Sequence, residues 1–334
     1  MLGRARAGDE RAFEQLVEPH RAGLRAHAYR MLGSIDDAEE ALQEALFRAW
    51  RGLPRFEGRS SLRSWLYKIA TNVSLDAATR RRARVLPIDY GPARDPHDGL
   101  APPLAETVWV EPYPDEPLGL DYGGVSPAVR YELRESVELA FVVALQHLPP
   151  RQRAVLVLRD VLGFSAREVA ETLDATVASV KSALQRARKA VAEQLPEQSQ
   201  QATLRFLGDD AVRELVQRYI DAWERDDVDA VVAMLTEDAT IAMPPTPTWY
   251  RGREAVAAFY AIKALSGDLG WRHVATGANG QPAVGCYLWD EESGSYRAHV
   301  LDVLTLRGPR IAAITSFLDP GVFPSFGLPD ELKH

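Results

Sequence analysis

The stretch from Phe56 to Arg84, FEGRSSLRSWLYKIATNVSLDAATRRRAR, constrains this chain more than any other. Ser60 or Ser61 can cap a helix, and Leu62, Trp65, Leu66, Ile69 and Val73 then recur at steps of three and four on one apolar face. That face is expected in a core. Lys68, Asn72, Asp76 and Arg80 fall four apart on another face, and the helix runs out into Arg80, Arg81, Arg82 and Arg84. That face is expected to look outward. Taken alone, such a pattern is an amphipathic helix with a solvated basic end. The surrounding chain gives its polar face a use.

A length of 334 residues suits two or three domains, each able to bury a core. The formal net charge is −8, but the acidic excess lies in residues 87–125 and in the C-terminal third, while the two helical stretches flanking 87–125 are basic on balance. The overall acidity therefore does not exclude a nucleic-acid partner. The first residues lack the apolar core of a signal peptide and no run of about 18 apolar residues appears, so a soluble cytoplasmic protein with no membrane partner is expected. Cys286, the single cysteine, rules out an intramolecular disulfide and a Cys-rich zinc site, and is expected to be a small buried residue. His20, His27, His147 and His273 are scattered without ligand spacing, so neither metal nor cofactor is expected.

Ahead of the opening stretch, Phe13, Leu16, Val17, Leu24, Ala28 and Met31 predict a helix over 9–32, and Gly33 and Ser34 a stop and a fresh start. A second helix over 35–53 turns Ile35, Ala38, Leu42, Leu46 and Ala49 inward and carries a mainly acidic outer stripe of Asp37, Glu40, Glu44 and Arg48. DDAEEALQEALFRAW followed by RFEGRSSLRSWLYKIATNVSLDAATRRRAR resembles region 2 of the bacterial extracytoplasmic-function (ECF) sigma factors of the sigma-70 family. The resemblance implies that Asp37, Glu40, Gln43, Glu44, Phe47 and Arg48 bind core RNA polymerase on its β′ subunit. It also implies that Phe56, Arg59, Ser60, Ser61, Arg63, Lys68, Asn72, Asp76, Arg80 and Arg81 capture the melted −10 strand. The residue types agree: basic groups for phosphates, Phe56 and Tyr67 as stacking surfaces, and short polar groups for a splayed base edge. Trp65, on the apolar stripe, divides between core and contact.

Residues 87–126 are rich in proline and acid and read as a linker. Within it, VWVEPYPD puts Trp109 and Tyr113 forward as docking elements for another domain. A helical unit is expected from Pro127, with Leu133, Val137, Phe141, Ala144, Leu145 and Leu148 on one face. A helix over 150–161 follows, then one capped by Ser165, a turn at 174–176, and a last helix with Val177, Val180, Leu184, Ala187 and Val191 inward. This is helix-turn-helix spacing. LPPRQRAVLVLRDVLGFSAREVAETLDATVASVKSALQRARKAV resembles sigma region 4, which implies −35 duplex recognition by Arg167, Thr176, Ala178, Ser179, Lys181, Ser182, Gln185, Arg186, Arg188 and Lys189. Asp174 and Ala175 stand in the turn where a glycine is common, and Ala183 where the family often has a basic residue. The second departure leaves the −35 sequence open.

After a Gln-rich hinge, 196–208, helices come first and strands after: helices over 210–225, 228–235 and 252–264, and strands at 237–243, WRHVATGA, PAVGCYLWD, YRAHVLDVLTL and RIAAITSFL. The order resembles the SnoaL-like, ketosteroid-isomerase-like cone, which implies a pocket. Tyr219, Trp223, Met243, Trp249, Phe259, His299, Asp302 and Phe317 are its candidate liners. Asp302 in an apolar run would have a raised pKa; pairing with Arg297 or Arg272 is the plainer expectation, and strand parity sets His299 on the opposite face.

The chain therefore reads as a multidomain protein: two all-α sigma domains (region 2 bundle, 1–86; region 4 helix-turn-helix, 127–195) joined by the linker, then the hinge and an α+β SnoaL-like domain at 209–334. Its expected work is promoter-specific transcription initiation with core RNA polymerase (β and β′ subunits) and promoter DNA. The C-terminal domain would act in cis without catalysis and is a candidate small-molecule site. Two rivals remain at this point, a SnoaL-like enzyme fused to a DNA-binding front and an ordinary helix-turn-helix repressor.

Overall fold

Asp9, Ser34 and Ser61 each open a long helix by accepting a hydrogen bond from a backbone amide three residues on: from Ala12 at 3.0 Å, Asp37 at 3.1 Å and Ser64 at 3.0 Å. The computed structural model describes residues 1–104, 108–115, 135–267 and 269–333. After a short helix α1 (Leu2–Arg6), these caps start α2 (Glu10–Leu32), α3 (Ile35–Gly52) and α4 (Leu62–Arg80). Gly33 ends α2 in the left-handed region at φ 72, a conformation glycine takes without steric cost. The three helices pack on one another around Val17, Leu24, Met31, Leu42 and Val73. Each fully buried leucine contributes about 2 kcal/mol.

The buried face of α4 is rotated from the expected stripe. It consists of Leu66, Tyr67, Ala70, Thr71, Val73 and Ser74, while Leu62, Trp65 and Ile69 are only half-buried. The reason is that α4 is covered on two sides, by α2 and α3 and by the second helical half of the same compact unit. That half comprises α5 (Leu139–Gln146), α6 (Pro150–Leu156) continuing as a π turn over Val157–Val161, α7 (Ala166–Thr172) and α8 (Val177–Ala192). The resumption expected at Pro127, with Leu133, lies outside the described residues. Polar bolts join the halves. Buried Arg153 donates to Met31 O, to Gln146 Oε1 at 2.6 Å and to the carbonyls of Gln146 and Leu148, and burial lowers its pKa to about 10. Arg30 donates to Ser136 O at 3.0 Å and Ser136 Oγ at 2.7 Å.

The second compact unit comprises residues 196–334 together with 85–115. Its strands are β1 (Leu235–Ala242), β2 (Trp249–Arg251), β3 (Trp271–Ala278), β4 (Gln281–Asp290), β5 (Ser295–Arg307), β6 (Arg310–Phe317) and β7 (Glu331–Leu332). They form one sheet ordered β2-β1-β6-β5-β4-β3, with β7 on β5; only β1 and β6 run parallel. Helices α9 (Gln200–Leu207), α10 (Asp209–Trp223), α11 (Val228–Ala233) and α12 (Arg253–Phe259) complete the unit, with Tyr219, Trp223 and Phe259 packed in the core beside the sheet.

Two expectations are corrected here. The hinge is the helix α9, whose glutamines are buried: Gln200 donates to Leu306 O and accepts from Leu306 N, both at 2.7 Å, at an irregularity in the β5–β6 pairing. Gln201 donates to Gly280 O at 2.6 Å. The described part of the linker is fixed to this unit as well, because its backbone groups and the Asp115 carboxylate find partners there. Arg94 N donates to Trp249 O, Leu104 N to Pro245 O, Asn279 N to Tyr113 O and Gly280 N to Asp115 Oδ1.

Candidate nucleic-acid interface

Helices α3 and α4 open a cleft of about 510 Å³ lined by all six expected polymerase-binding residues and, of the ten expected −10 residues, by Asp76, Arg80 and Arg81 alone. Gln43 and Phe47 lie on its wall, and Phe47 is 55 % exposed with the Arg51 guanidinium over its ring. Glu44 pairs with Arg48 at 2.6 Å, Arg48 reaches Asp76 at 3.6 Å, and Arg81 pairs with Glu40 at 3.0 Å and with Asp37. Asp37 does not belong to a free outer stripe. It sits half-buried between Arg81 and Arg84, the latter at 2.8 Å, and Arg84 is itself buried rather than part of a solvated basic end.

At the start of α4, Phe56 and Tyr67 are not open stacking surfaces. Phe56 is buried with its ring 4.9 Å from Trp65, which accounts for Trp65 as packing, and Tyr67 is buried between His27 and Phe164. Ser61 is occupied as the cap and touches Ser64 Oγ, Ser60 is exposed, and Arg59 pairs with Glu57 at 2.5 Å. Arg63 lies over the Phe164 ring and donates to Leu162 O at 2.8 Å; Lys68 Nζ donates to Glu171 O at 2.7 Å; Ser64 Oγ donates to Glu168 Oε1 at 3.3 Å. The entry to α7 thus covers the amino-terminal half of α4's polar face. Asn72 is half-buried, and Asp76 and Arg80 are exposed.

Ser165 and Glu168 form a reciprocal capping box at the start of α7, and Asp174 makes the following turn at φ 47, a left-handed conformation that aspartate tolerates better than most residues. Thr176 then caps α8. Thr176, Ala178, Ser179, Lys181, Ser182, Gln185, Arg186, Arg188 and Lys189 are all exposed on α8, and Arg167 is exposed on α7. Arg188 is held by Asp160 at 2.7 and 2.8 Å, Lys189 lies 4.0 Å from Glu193, and Arg167 pairs with Glu171. Val177, expected inward, is 40 % exposed because the cap turns the first residue of α8 away from the core.

In the other unit a cavity of about 170 Å³ is lined by Trp223, Met243, Phe259, His299 and Asp302 as expected from their positions, and also by Tyr260, Lys263, Trp271 and Leu100, which sequence pattern did not single out. Tyr219, Trp249 and Phe317 are not among its liners: Tyr219 reaches Asp302 from the core, Trp249 Nε1 donates to Gly91 O, and Phe317 is the strand neighbour of the cavity residue Ser316. Asp302 is 3 % exposed and has no arginine partner among the described residues. Arg297 lies near Asp290 and Arg272 near Glu224. Asp302 Oδ2 instead accepts from Tyr219 OH at 2.9 Å and from Cys286 Sγ at 3.7 Å. Burial raises its pKa, against the hydrogen bonds from Ser316, Tyr219 and Cys286. His299 shares the cavity because β5 bulges there: Cys286 pairs with Val300 and Tyr287 with Ala298, so residue 299 is the extra one and parity is reset. Trp109 Nε1 donates to Pro245 O at 2.8 Å, and Tyr113 N donates to Asn279 Oδ1 at 2.9 Å. Among the described residues, no helix is long and apolar enough to cross a membrane.

Family models match in the order read from the sequence: Sigma-70 region 2 over residues 16–84, Sigma-70 region 4 over 138–191, and a SnoaL-like domain over 216–314. The ECF RNA polymerase sigma factor SigG of Mycobacterium tuberculosis is 41 % identical across 99 % of this chain and 88 % of its own length. The chain belongs to the ECF RNA polymerase sigma factors. SigE of Mycolicibacterium smegmatis is 31 % identical to this sigma factor over 58 % of the chain and 66 % of its own length. A crystal structure of the ECF sigma factor SigJ of Mycobacterium tuberculosis has the same fold, with a TM-score of 0.59 at 22 % identity, covering 94 % of this sigma factor and 99 % of SigJ. The chain is therefore an RNA polymerase-binding transcription initiation factor with a SnoaL-like C-terminal domain.

Proposed function

We propose that α8 reads −35 duplex, that Asp37, Glu40, Gln43, Glu44, Phe47 and Arg48 on α3 meet the β′ subunit of core RNA polymerase, and that the segment from Phe56 to Arg81 holds the melted −10 strand. The observation that carries this reading is the exposed face of α8: nine polar, small or basic positions from Thr176 to Lys189 face outward with no acid among them. Lys181, Ser182 and Gln185 lie toward base edges, and Arg186, Arg188 and Lys189 toward phosphates. The −10 assignment has a structural condition. Arg63, Ser64 and Lys68 are engaged by the α7 half, so the two helical halves part when the strand is bound.

The C-terminal domain acts in cis by binding, not by turnover. Tyr219 and Cys286 engage Asp302 Oδ2, and burial together with the neighbouring Asp302 carboxyl pushes the Cys286 thiol well up, away from the thiolate that nucleophilic attack needs. The test is run-off transcription with purified core RNA polymerase. Full-length protein should give promoter-dependent transcripts, and Lys181→Glu with Arg186→Glu should abolish them while polymerase binding persists. Transcripts that survive this double substitution would overturn the −35 assignment. Tight, sequence-specific duplex binding without polymerase would favour a repressor.

A further inference from the structure

The cavity of the C-terminal unit has flat walls, a polar floor and a lid taken from elsewhere in the chain. Trp223, Phe259, Tyr260 and Trp271 supply aromatic faces, with Trp223 in ring contact with both Tyr260 and Trp271. At the floor, Asp302 uses Oδ2 for Tyr219 and Cys286, while Oδ1 has no well-formed hydrogen bond, with Ser316 close to the carboxyl group. Trp223 Nε1 is buried without a partner, and Tyr260 OH, beside Tyr219, makes no well-formed hydrogen bond. Buried polar groups in native proteins are nearly all satisfied, so three such atoms around one cavity point to an occupant that completes them.

Charge narrows its chemistry. Asp302 disfavours an anion at the floor, and Lys263, exposed at the mouth, disfavours a cation. A hydroxyl group both donates and accepts, so it can serve Asp302 Oδ1 and Tyr260 OH whatever the protonation of the carboxyl. The lid is Leu100, which lines the mouth although it lies in the segment joining the two sigma regions in sequence. Around it Arg94 N donates to Trp249 O at 3.0 Å, Ala101 N to Thr248 Oγ1 at 2.9 Å and Leu104 N to Pro245 O at 3.2 Å.

We infer that this cavity binds a neutral one- or two-ring compound carrying a single hydroxyl group, and that its occupancy is felt by the segment from Arg94 to Leu104. Contact with Leu100 transmits occupancy to the three hydrogen bonds donated by backbone amides that seat the segment. The inference does not depend on the promoter reading, since neither readout below involves DNA or polymerase.

The test uses the full chain with p-cresol as probe, toluene as the same shape without the hydroxyl, and p-toluate as the anionic counterpart. Calorimetry should find one p-cresol per chain, at least tenfold tighter than toluene, and no binding of p-toluate. Amide exchange of 94–104 should change on p-cresol saturation, with exchange in α2 and α3 constant as a control. Tyr260→Phe, which keeps the ring, should weaken p-cresol about tenfold and leave toluene unchanged. Ala264→Trp, at the cavity wall, should abolish both. Equal affinity for p-cresol and toluene, preference for p-toluate, no heat with any probe, or unaltered exchange in 94–104 would each overturn the proposal.

Discussion

Arg153 shows what one buried cation does between two helical halves. It reaches four oxygens on Met31, Gln146 and Leu148, so replacing it with Leu leaves those acceptors without their donor. Arg153→Leu is expected to lower stability by about 3 kcal/mol, read as a fall in the urea midpoint. His27 is buried against Thr71 and Tyr67, and burial together with Arg30 lowers its pKa from 6.5 to about 3. Below pH 6.5 the unfolded chain takes up a proton that the folded chain refuses until about pH 3. Stability is therefore full above 6.5 and falls across that window by about 1.4 kcal/mol per pH unit for each such histidine. His273, lowered to about 3 by burial and Arg272, adds the same dependence in the other unit. Urea unfolding at pH 7 and pH 5 checks this, and His27→Gln should flatten the pH dependence of the unit that contains it. At this scale the sequence shows which groups are buried better than whom they meet. Asp302 is legible as a carboxyl in an apolar run, but its partner Tyr219 comes from a helix far away in the chain, and the bulge that turns His299 inward has no local signature.

Among the elements, α4 was legible in its cap, and misread in its orientation and in the solvation of its basic end. The period places one apolar stripe, but a helix covered from two sides buries Tyr67, Thr71 and Ser74 as well, and pattern alone does not announce the second cover. The contact between Ser64 and Glu168 gives a direct test of the cover over α4. Cys286, the single native cysteine, is buried, so Ser64→Cys with Glu168→Cys can be labelled selectively. A short reversible crosslinker between them should form in the free protein and reduce promoter-dependent transcription at least tenfold, with recovery on reduction. Full transcription from the crosslinked protein would show that the halves need not part. In α9 a Gln-rich, apolar-poor sequence suggested a hinge, whereas the amides of Gln200 and Gln201 serve backbone groups of β5 and of the turn before β4. Gln200→Ala strands Leu306 N and O together and is expected to cost about 2 kcal/mol in the stability of the C-terminal unit, measured by denaturant.

For the whole molecule, domain order was readable because each part carries its own period: three- and four-residue steps for the sigma helices, alternation for the sheet. The allegiance of the middle was not. Residues 85–115 have the composition of a loose connector, yet Trp109, Val110 and Tyr113 are buried and their segment belongs with the C-terminal unit. A truncation after Leu195 removes what covers these side chains. The shortened chain should bind a hydrophobic dye and be cut by protease between 85 and 115, whereas the full chain resists, and equal resistance would show that the segment finds cover without the C-terminal unit.

The docking of Trp109 and Tyr113 also sets a timetable. During translation this segment emerges before Pro245 and Asn279 exist to receive it, and both of its neighbouring sigma regions are complete before its seat is made. The nascent chain thus passes through an interval in which the helices of its two sigma regions are finished and the strap between them is still loose, so the speed of the ribosome through the last third determines how long that interval lasts.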